Sequence, residues 1–305
     1  MAEAVAAFDC GSNSTRLLIA ASDGRTLARE MRITRLSQGV DATGALTAEA
    51  IERTLRVLSE YRERCDAAGV ERGLLVATSA VRDASNGASF LERAREVTRV
   101  ESRVLSGSEE ALLSFAGATA DLAASALATV IVDVGGGSTE LASDVDGAML
   151  SYSMQLGCVR VTERALGRDV VTPERDAATR VMVAEELDRA FSAVPEFASL
   201  VGHVRLVGLA GTVATLAQLD AGLTVYDRDV VHHRVLSRAT VQHWRDRLAH
   251  EPLEARLLHP GMVKGREDVL AAGLYVLDAV MGRFGAEELL SSENDILDGI
   301  VLSLR

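Results

Sequence analysis

The sequence predicts an α/β protein built of two related domains. Its 305 residues, of which 48% are hydrophobic and 25% charged, provide enough chain for two separate cores. Segments typical of strands alternate with segments typical of helices in both halves. A short segment also occurs twice, at Phe8–Leu17 and at Val132–Leu141. We therefore predict one domain over residues 1–122 and a second over residues 123–305, with a last helix, from about residue 293, that could pack back across the boundary.

The repeated segment has the pattern of a strand, a tight glycine turn and a second strand. When Asp9 is placed on Asp133, the coinciding residues are a glycine, two hydroxyl residues and a leucine: Gly11 and Gly135, Ser14 and Ser138, Thr15 and Thr139, Leu17 and Leu141. Apolar residues precede each copy and strand-forming residues follow it, as in a β-hairpin. One copy alone would indicate an ordinary turn. Two copies indicate a duplicated domain with two anion-binding loops that face each other.

The residue types of both copies suit a bound phosphate. Glycine allows backbone N–H groups to approach a ligand closely, and hydroxyl groups add further donors. The predicted phosphate-binding residues are Gly11, Ser12, Asn13 and Ser14 in the first copy and Gly135, Gly136, Gly137, Ser138 and Thr139 in the second. Asp9 and Asp133 end the preceding strands, where their oxygens could hold Mg²⁺, with Mn²⁺ as a substitute. Such a cation would offset the repulsion between a polyanionic substrate and the two carboxylates.

The elements of the first half follow in a clear order. Thr47 is a suitable N-cap for a helix with an apolar face that ends near Gly69. A buried strand at Leu74–Ala77 precedes a second helix with Phe90, Leu91, Ala94 and Val97 on one side. A short strand at Arg103–Leu105 then leads into a helix that Ser108 is expected to cap.

The second half repeats the hairpin and continues with helices between Thr172 and Leu200. A strand at Val204–Val207 is followed by a loop at Gly208–Thr212 and a helix at Val213–Asp220. Gly211 and Thr212 in this loop could bind a phosphate or a nucleoside at the helix N-terminus. A tight turn that allows close packing of strand and helix explains the glycines equally well.

Arg82 and the pair Glu109-Glu110 are further candidates for functional residues. Each also has a purely structural explanation. Arg82 follows the end of a buried strand and could grip a phosphate with two hydrogen bonds, or it could pair with Asp83 on the surface. Acidic residues in the first turn of a helix favour its dipole, which accounts for both glutamates. In the functional interpretation, one of them is the base that activates a water molecule.

Composition excludes several classes of function. The net charge of −12 opposes general binding to nucleic acids or anionic membranes, and no long apolar run indicates a membrane span. Three separated cysteines without a CxxC spacing fit a reducing cytoplasm. The six histidines show no HxxxH spacing, and His232-His233 is expected to be a loop or surface pair. No GxSxG, GxxxxGK[ST] or helix-opening GxGxxG sequence is present, which disfavours serine hydrolases, P-loop NTPases and Rossmann oxidoreductases.

Taken together, these motifs resemble the exopolyphosphatase and guanosine pentaphosphate phosphohydrolase (Ppx/GppA) family over nearly the whole chain. The resemblance rests on segments in a fixed order: Asp9–Ser14, Ala77–Asp83, Ser106–Ala111, Asp133–Leu141, Gly211-Thr212 and Ser292–Ile296. The most specific are the SGxEEA sequence at Ser106–Ala111 and the DxGGGSTEL sequence at Asp133–Leu141. The glycine turns alone would fit any member of the wider actin, sugar-kinase and heat-shock ATPase superfold.

The family implies two ribonuclease-H-like domains around a cleft and Mg²⁺-assisted hydrolysis of a terminal phosphoanhydride. By this resemblance Glu110 matches the catalytic glutamate, Asp133 the metal-linked aspartate and Glu140 a second catalytic acid. Asp9, Asp133 and Glu110 are the expected metal-binding residues, and Arg82 becomes a phosphate ligand. Longer family members carry an additional helical C-terminal region that helps to hold long polyphosphate, and the present sequence ends before it.

The sequence thus predicts a cytoplasmic hydrolase that removes the terminal phosphate of inorganic polyphosphate, with a preference for short chains. Conversion of guanosine pentaphosphate to tetraphosphate uses the same bond chemistry and stays open. A kinase of the same superfold and a non-catalytic sensor of alarmones or polyphosphate are the rival classes. Neither a nucleic acid nor a membrane is an expected partner, whereas a homodimer stays open.

Overall fold

The computed structural model describes residues 4–305, which divide into two compact units. The first unit comprises the described residues up to Gly117 together with Asp295–Arg305, and the second comprises Ala118–Asn294. The chain therefore enters the second unit after Gly117 and leaves it after Asn294. That the domains have the predicted limits of residues 1–122 and 123–305 stays a prediction.

The first unit contains a five-stranded sheet in the order β3-β2-β1-β4-β5. Its strands are β1 (Ala4–Cys10), β2 (Ser14–Ala21), β3 (Thr26–Ile33), β4 (Arg72–Ala77) and β5 (Glu101–Val104). β1, β2 and β3 form an antiparallel meander, whereas β4 and β5 continue the sheet parallel to β1. All seven residues of β1 are buried, as is usual for a central strand that is covered on both faces.

The helices of the first half are α1 (Val40–Thr43), α2 (Ala48–Ala67), α3 (Ser79–Arg82), α4 (Gly87–Thr98) and α5 (Gly107–Thr119). The prediction for α2 is confirmed, because the Thr47 hydroxyl accepts the N–H of Ala50 and the chain leaves the helix through Gly69, whose φ is +69°. Strand β3 was not predicted. Half of its residues are polar and none is buried, which is typical of an edge strand, so it lacks the apolar run that reveals a buried one.

The second unit contains a six-stranded sheet in the order β10-β11-β9-β6-β7-β8. Its strands are β6 (Ala128–Val134), β7 (Thr139–Val145), β8 (Ala148–Met154), β9 (Val204–Leu209), β10 (Val235–Ser237) and β11 (Glu288–Ser291). β6, β7 and β8 form an antiparallel meander, and β9 and β11 run parallel to β6. When β10 is set aside, both sheets have the same order and the same strand directions, which confirms the predicted α/β class with two ribonuclease-H-like halves.

The helices of the second half are α6 (Cys158–Val161), which continues as a π-helical turn (Thr162–Leu166), α7 (Pro173–Ala193), a 3-10 segment (Pro195–Leu200), α8 (Ala210–Ala221), α9 (Arg228–Val231), α10 (Arg238–His250), α11 (Leu253–Arg256), α12 (Leu270–Phe284) and α13 (Ile296–Ser303). The loop predicted at Gly208–Thr212 is wrong in part. α8 begins at Ala210, so Gly211 and Thr212 lie in its first turn. Within residues 4–305, no helix has both the length and the apolar character needed to span a membrane.

Each unit has its own core. In the first unit, apolar side chains of α2 and α4 cover one face of the sheet, and Ile296, Leu297, Ile300 and Val301 of α13 cover the other face together with Leu105. In the second unit, α12 is buried over most of its length and packs with α7, α8 and α10 beside the sheet. The rigid sheets therefore fix the positions of the two hairpin turns, β1–β2 and β6–β7.

Candidate active site

The two hairpin turns share the same hydrogen bond. The N–H of Gly11 donates to the carbonyl oxygen of Ser14, and the N–H of Gly135 donates to the carbonyl oxygen of Ser138, both over 3.0 Å. A Cβ atom at either glycine would lie 3.1 Å from that carbonyl oxygen, which is tighter than an ordinary contact. The close approach of the chain to itself explains why glycine stands at both positions. The duplication recognised in the sequence is therefore also a duplication of turn geometry.

The carbonyl oxygens of the first turn are engaged by the chain that follows β3. The Asn13 carbonyl accepts the N–H groups of Thr34 and Arg35, and the Ser12 carbonyl accepts that of Ser37. In the described chain, the N–H groups of Ser12 and Asn13 have no acceptor. The amide side chain of Asn13 is 4% exposed, and neither its oxygen nor its nitrogen has a hydrogen-bonding partner there. Buried polar groups without partners are rare, which points to a ligand at this turn.

The second turn is arranged in the same way, although another element supplies its partners. The first N–H groups of α6, those of Cys158 and Val159, donate to the carbonyl oxygens of Gly135 and Gly136 over 2.9 Å. Among residues 4–305, the N–H groups of Gly136 and Gly137 have no acceptor. Backbone amides that are left over in a tight turn form an anion-binding concavity. Both turns thus offer two amide donors for a phosphate oxygen.

The residue opposite the aspartate is a base in the first hairpin and an acid in the second. Asp9 lies directly opposite Arg16 on β2, and Asp133 lies directly opposite Glu140 on β7. The Arg16 guanidinium donates to Oδ2 of Asp9 from Nε over 2.9 Å and from Nη2 over 2.7 Å, and it also contacts Asp295. Oδ1 of Asp9 is buried without a hydrogen-bonding partner. Burial raises the pKa of Asp9 above its ordinary value, and Arg16 offsets this only in part.

Asp133, Glu140 and Ser153 form one row across three neighbouring strands. Glu140 pairs with Asp133 on β6 and with Ser153 on β8, and the Ser153 hydroxyl donates to Oε1 of Glu140 over 2.7 Å. The two carboxylates are only 6% and 1% exposed. Like charges directly opposite each other destabilise a sheet unless a proton or a positively charged group offsets them.

Glu110 lies at the start of α5, as predicted, and is 7% exposed. Nη1 of Arg82 lies 3.4 Å from its Oε2 and donates to the Leu105 carbonyl over 2.9 Å. Arg82 is therefore directed chiefly to the start of α5, and its Nε is 4.0 Å from Asp83. The hydroxyl groups of Ser12 and Ser79 are 3.0 Å apart, which connects the first turn to α3, the helix that ends with Arg82.

The two neighbouring glutamates have different environments. The predicted cap, Ser108, is wrong, because α5 already includes it and the Ser106 hydroxyl accepts the N–H of Glu109. The Glu109 carboxylate turns back and accepts the N–H and the hydroxyl of Ser106, both over 2.8 Å. These hydrogen bonds hold the pKa of Glu109 below its ordinary value. Glu109 thus caps the N-terminus of α5. Glu110 is therefore the better candidate of the two for a chemical role.

The start of α8 lies beside the second turn. The Thr212 hydroxyl donates to the Val134 carbonyl over 3.2 Å. The guanidinium of Arg266 covers Gly211, since a Cβ atom there would lie 1.7 Å from one of its nitrogens. Arg266 is 6% exposed and also lies close to Cys158, at the start of α6. The sequence reasoning missed this arginine. Its signal is a basic residue in a glycine-containing loop directly before the apolar helix α12.

The structure therefore brings the predicted residues together in two sets. The first unit holds Asp9, Gly11, Ser12, Asn13, Ser14, Arg82 and Glu110, connected through the contacts of Ser12 with Ser79 and of Arg82 with Glu110. The second unit holds Asp133, Gly135, Gly136, Gly137, Ser138, Thr139, Glu140, Gly211 and Thr212, connected through β6 and α8. The catalytic, phosphate-binding and metal-binding roles of these residues stay predictions. His232 and His233 belong to neither set.

Comparison with known proteins agrees with this arrangement. A sequence model of the Ppx/GppA phosphatase family matches residues 18–305. The chain is 41% identical to exopolyphosphatase 2 of Mycobacterium tuberculosis, with 98% of each chain covered. A crystal structure described as an exopolyphosphatase-like protein has a TM-score of 0.92 at 34% identity and covers 99% of this chain and 98% of its own. The Aquifex aeolicus member of the Ppx/GppA family has a TM-score of 0.80 at 29% identity, with 100% and 98% covered. With matches of this extent, the chain belongs to the Ppx/GppA phosphatase family.

Proposed function

We propose that this protein is a Mg²⁺-dependent exopolyphosphatase that removes the terminal phosphate of inorganic polyphosphate. Its family already makes it a phosphoanhydride-hydrolysing enzyme. The choice of polyphosphate is supported by the 41% identity to a protein called exopolyphosphatase 2 over 98% of both chains. A substrate with many identical phosphates also suits a protein that offers the same phosphate-binding turn twice.

The observation that carries this proposal is the pair of amide groups without acceptors in each turn. Ser12 and Asn13 supply them in the first unit, and Gly136 and Gly137 supply them in the second. A phosphate oxygen satisfies such donors without any change of the backbone. The Asn13 side-chain amide, which is buried without a partner, adds a further donor. Arg82 beside the first set of residues and Arg266 beside the second supply positive charge, which a net −12 protein must concentrate where it binds an anion.

The acidic residues fit a divalent cation. Oδ1 of Asp9 is buried without a hydrogen-bonding partner, and Asp133 faces Glu140 as a buried pair of acids. Carboxylate oxygens are the ligands that Mg²⁺ prefers. In the second unit Asp133 would hold the ion; in the first unit the predicted ligands are Asp9, through Oδ1, and Glu110. When bound, the ion would neutralise and polarise the scissile phosphoryl group.

Glu110 is the general base of the proposed reaction, a role that the residues of the two turns cannot fill. Its carboxylate accepts a proton from water while the water oxygen attacks the terminal phosphorus. The bond between that phosphorus and its bridging oxygen breaks, and the shortened chain leaves with the electron pair. Arg82, 3.4 Å from Oε2 of Glu110, keeps this carboxylate oriented and can contact a phosphate oxygen on its other side. Ser153 orients Glu140 through its 2.7 Å hydrogen bond.

Phosphate release from four substrates tests the proposal. The full chain with Mg²⁺ is given tripolyphosphate, long-chain polyphosphate, guanosine pentaphosphate or ATP in parallel reactions. We expect release from the polyphosphates to exceed release from both nucleotides, and chelation of the metal to abolish it. Faster hydrolysis of guanosine pentaphosphate would assign the nucleotide as substrate. Tight binding of either anion without any release would instead indicate the sensor.

A further inference from the structure

Asp121, His232 and His233 form a cluster outside both sets of site residues. Their ligand atoms lie within 4.8 Å of one another. Nε2 of His232 is 2.9 Å from Oδ2 of Asp121, and Nε2 of His233 is 3.5 Å from Oδ1. The two imidazole rings are stacked with their centroids 3.8 Å apart. Such a cluster could either bind a metal ion or hold two segments of the chain together.

The hydrogen bonds of His232 decide between these two roles. The backbone N–H of Glu293 donates to Nδ1 of His232 over 3.0 Å. Nδ1 therefore carries no proton, so the proton of the neutral ring is on Nε2 and is donated to Asp121. A metal on Nε2 would have to displace that proton while Nδ1 still accepts, which would leave an imidazolate. Histidines that bind metals instead donate their second ring nitrogen to an acceptor.

The two partners of His232 lie at the two ends of the second unit. Asp121 is the fourth residue after the chain enters this unit, and Glu293 is the last residue but one before it leaves. His233 also approaches both ends, since its ring lies 3.5 Å from Asp121 and its backbone N–H donates to the Ser291 carbonyl over 2.8 Å. Two further contacts hold one end each. Arg205 donates to the Ala123 carbonyl over 2.7 Å, and Arg228 donates to the Asn294 side chain over 2.6 Å. His232 touches both segments through one ring.

We propose that His232 is an acid-released clasp that holds together the entry and exit segments of the second unit. The neutral ring donates to Asp121 and accepts from Glu293. Protonation places a hydrogen on Nδ1 opposite the Glu293 N–H, so that two donors face each other and this contact is lost. The contact with Asp121 survives protonation, so the contact of His232 with the Glu293 N–H is the one that is lost.

The charges around the ring favour the closed form at neutral pH. Burial lowers the pKa of His232, and the nearby His233 and Arg228 lower it further, while Asp121 acts in the opposite direction. The Glu293 side chain, which also belongs to the exit segment, accepts the hydroxyl of Tyr226. Release of the Glu293 N–H therefore loosens a segment that Tyr226 and Arg228 still hold by their side chains.

Hydrogen–deuterium exchange of the full chain at the Glu293 amide tests the clasp. We expect His232→Phe to raise its exchange about fivefold at pH 8, the equivalent of one ordinary hydrogen bond. In the wild-type chain, protection corrected for intrinsic exchange should fall between pH 8 and pH 5. His233→Gly is the matched control. It removes the neighbouring ring at a position whose φ of +59° suits glycine and leaves both contacts of His232 in place.

Unchanged Glu293 protection in His232→Phe would overturn the clasp. A second measurement needs no variant: ¹⁵N chemical shifts of the His232 ring at pH 8 should show a bare Nδ1 and a protonated Nε2, and the reverse pattern would refute the proposal. Calorimetric titration with Zn²⁺ and with Ni²⁺ tests the alternative that the cluster is a metal site. Stoichiometric binding that disappears in His232→Phe would replace the clasp with that site.

Discussion

Asp133 and Glu140 lie directly opposite each other on antiparallel strands, and both are buried. The equivalent pair in the first hairpin is Asp9 and Arg16, which neutralise each other. Duplication has therefore kept the turn and reversed the charge beside it. The first hairpin thus pairs its aspartate with a base, whereas the second pairs it with another acid. On this ground we expect Mg²⁺ to bind at the second hairpin.

We expect Asp133→Asn to weaken Mg²⁺ binding, because an amide is a poorer ligand for a hard cation than a carboxylate. Thermal unfolding with and without Mg²⁺ measures this effect, since a ligand of the native state raises the unfolding temperature. Asp23→Asn, at an exposed position of the first unit, is the control. An undiminished Mg²⁺-induced shift in Asp133→Asn would refute this assignment.

Glu110→Gln should lower the turnover number about 10²–10⁴-fold, the usual loss when a general base is removed, with little change in substrate affinity. Glu109→Gln is the matched control. The Glu109 carboxylate is occupied by Ser106, so its loss should reduce stability slightly and leave the turnover number near that of the wild type. Steady-state kinetics of the three proteins at saturating Mg²⁺ provides the comparison. Equal losses of turnover number in both variants would show that an intact helix N-terminus is required and that Glu110 is not the general base.

Asn13→Ala should raise the KM for polyphosphate at least tenfold without lowering the free energy of unfolding. The buried amide of Asn13 has no hydrogen-bonding partner in the described chain, so its removal costs the folded state little and could even stabilise it. Thr15→Val should do the opposite. It breaks the 2.8 Å hydrogen bond between the hydroxyls of Thr15 and Thr34 and leaves the turn donors in place. Urea unfolding and KM, measured on both variants, separate the two roles. A loss of stability in Asn13→Ala with unchanged KM would contradict the prediction.

The stability of the wild-type chain should contain a contribution from His232 that is lost as the pH falls. The unfolded side chain has an ordinary pKa of 6.5, and burial lowers the pKa in the folded state. The unfolded state therefore binds the proton more tightly. The contribution is complete above pH 6.5 and disappears as the pH falls towards the folded pKa, with a slope of at most about 1.4 kcal/mol per pH unit.

Denaturant unfolding between pH 8 and pH 5 measures this slope. The curve should be flatter for His232→Phe than for the wild type, because the ionisable ring is absent. His203→Gln, at an exposed histidine, should retain the full slope. Parallel curves for the wild type and His232→Phe would show that other groups determine the pH dependence.

Digestion of long polyphosphate should be distributive, and short chains should be cleaved at least as efficiently per molecule. The chain has 44 acidic against 32 basic side chains, a net charge of −12, so its overall charge opposes the binding of a long anion outside the site. Electrophoresis of the products during digestion tests this, since a distributive enzyme shortens the whole population together. A starting band that persists while free phosphate accumulates would indicate processive action.

The sequence by itself determined the duplication, the α/β class and the family. These depend on local features: apolar runs that form buried strands, glycines where the chain approaches itself, and an order of motifs that leaves few alternatives. Thr47 as the cap of α2 follows from the same kind of information, since an N-cap bonds only to residues of its own helix. Strands β3, β8, β10 and β11 escaped detection. In β3 the residues lack the apolar run by which β1, β4 and β9 are recognised.

Tertiary structure alone decided which distant side chains meet. Arg16 faces Asp9 within its own hairpin, yet it also contacts Asp295, which is 279 positions away in the chain. Arg266 comes to cover Gly211, and His232 comes to join Asp121 with Glu293, through pairs separated by 55 to 111 positions in the chain. No local pattern encodes such contacts, since they depend on how strands and helices distant in sequence pack together. A side chain's type fixes what it can bind or donate, and the packing of the fold fixes whether a partner is there.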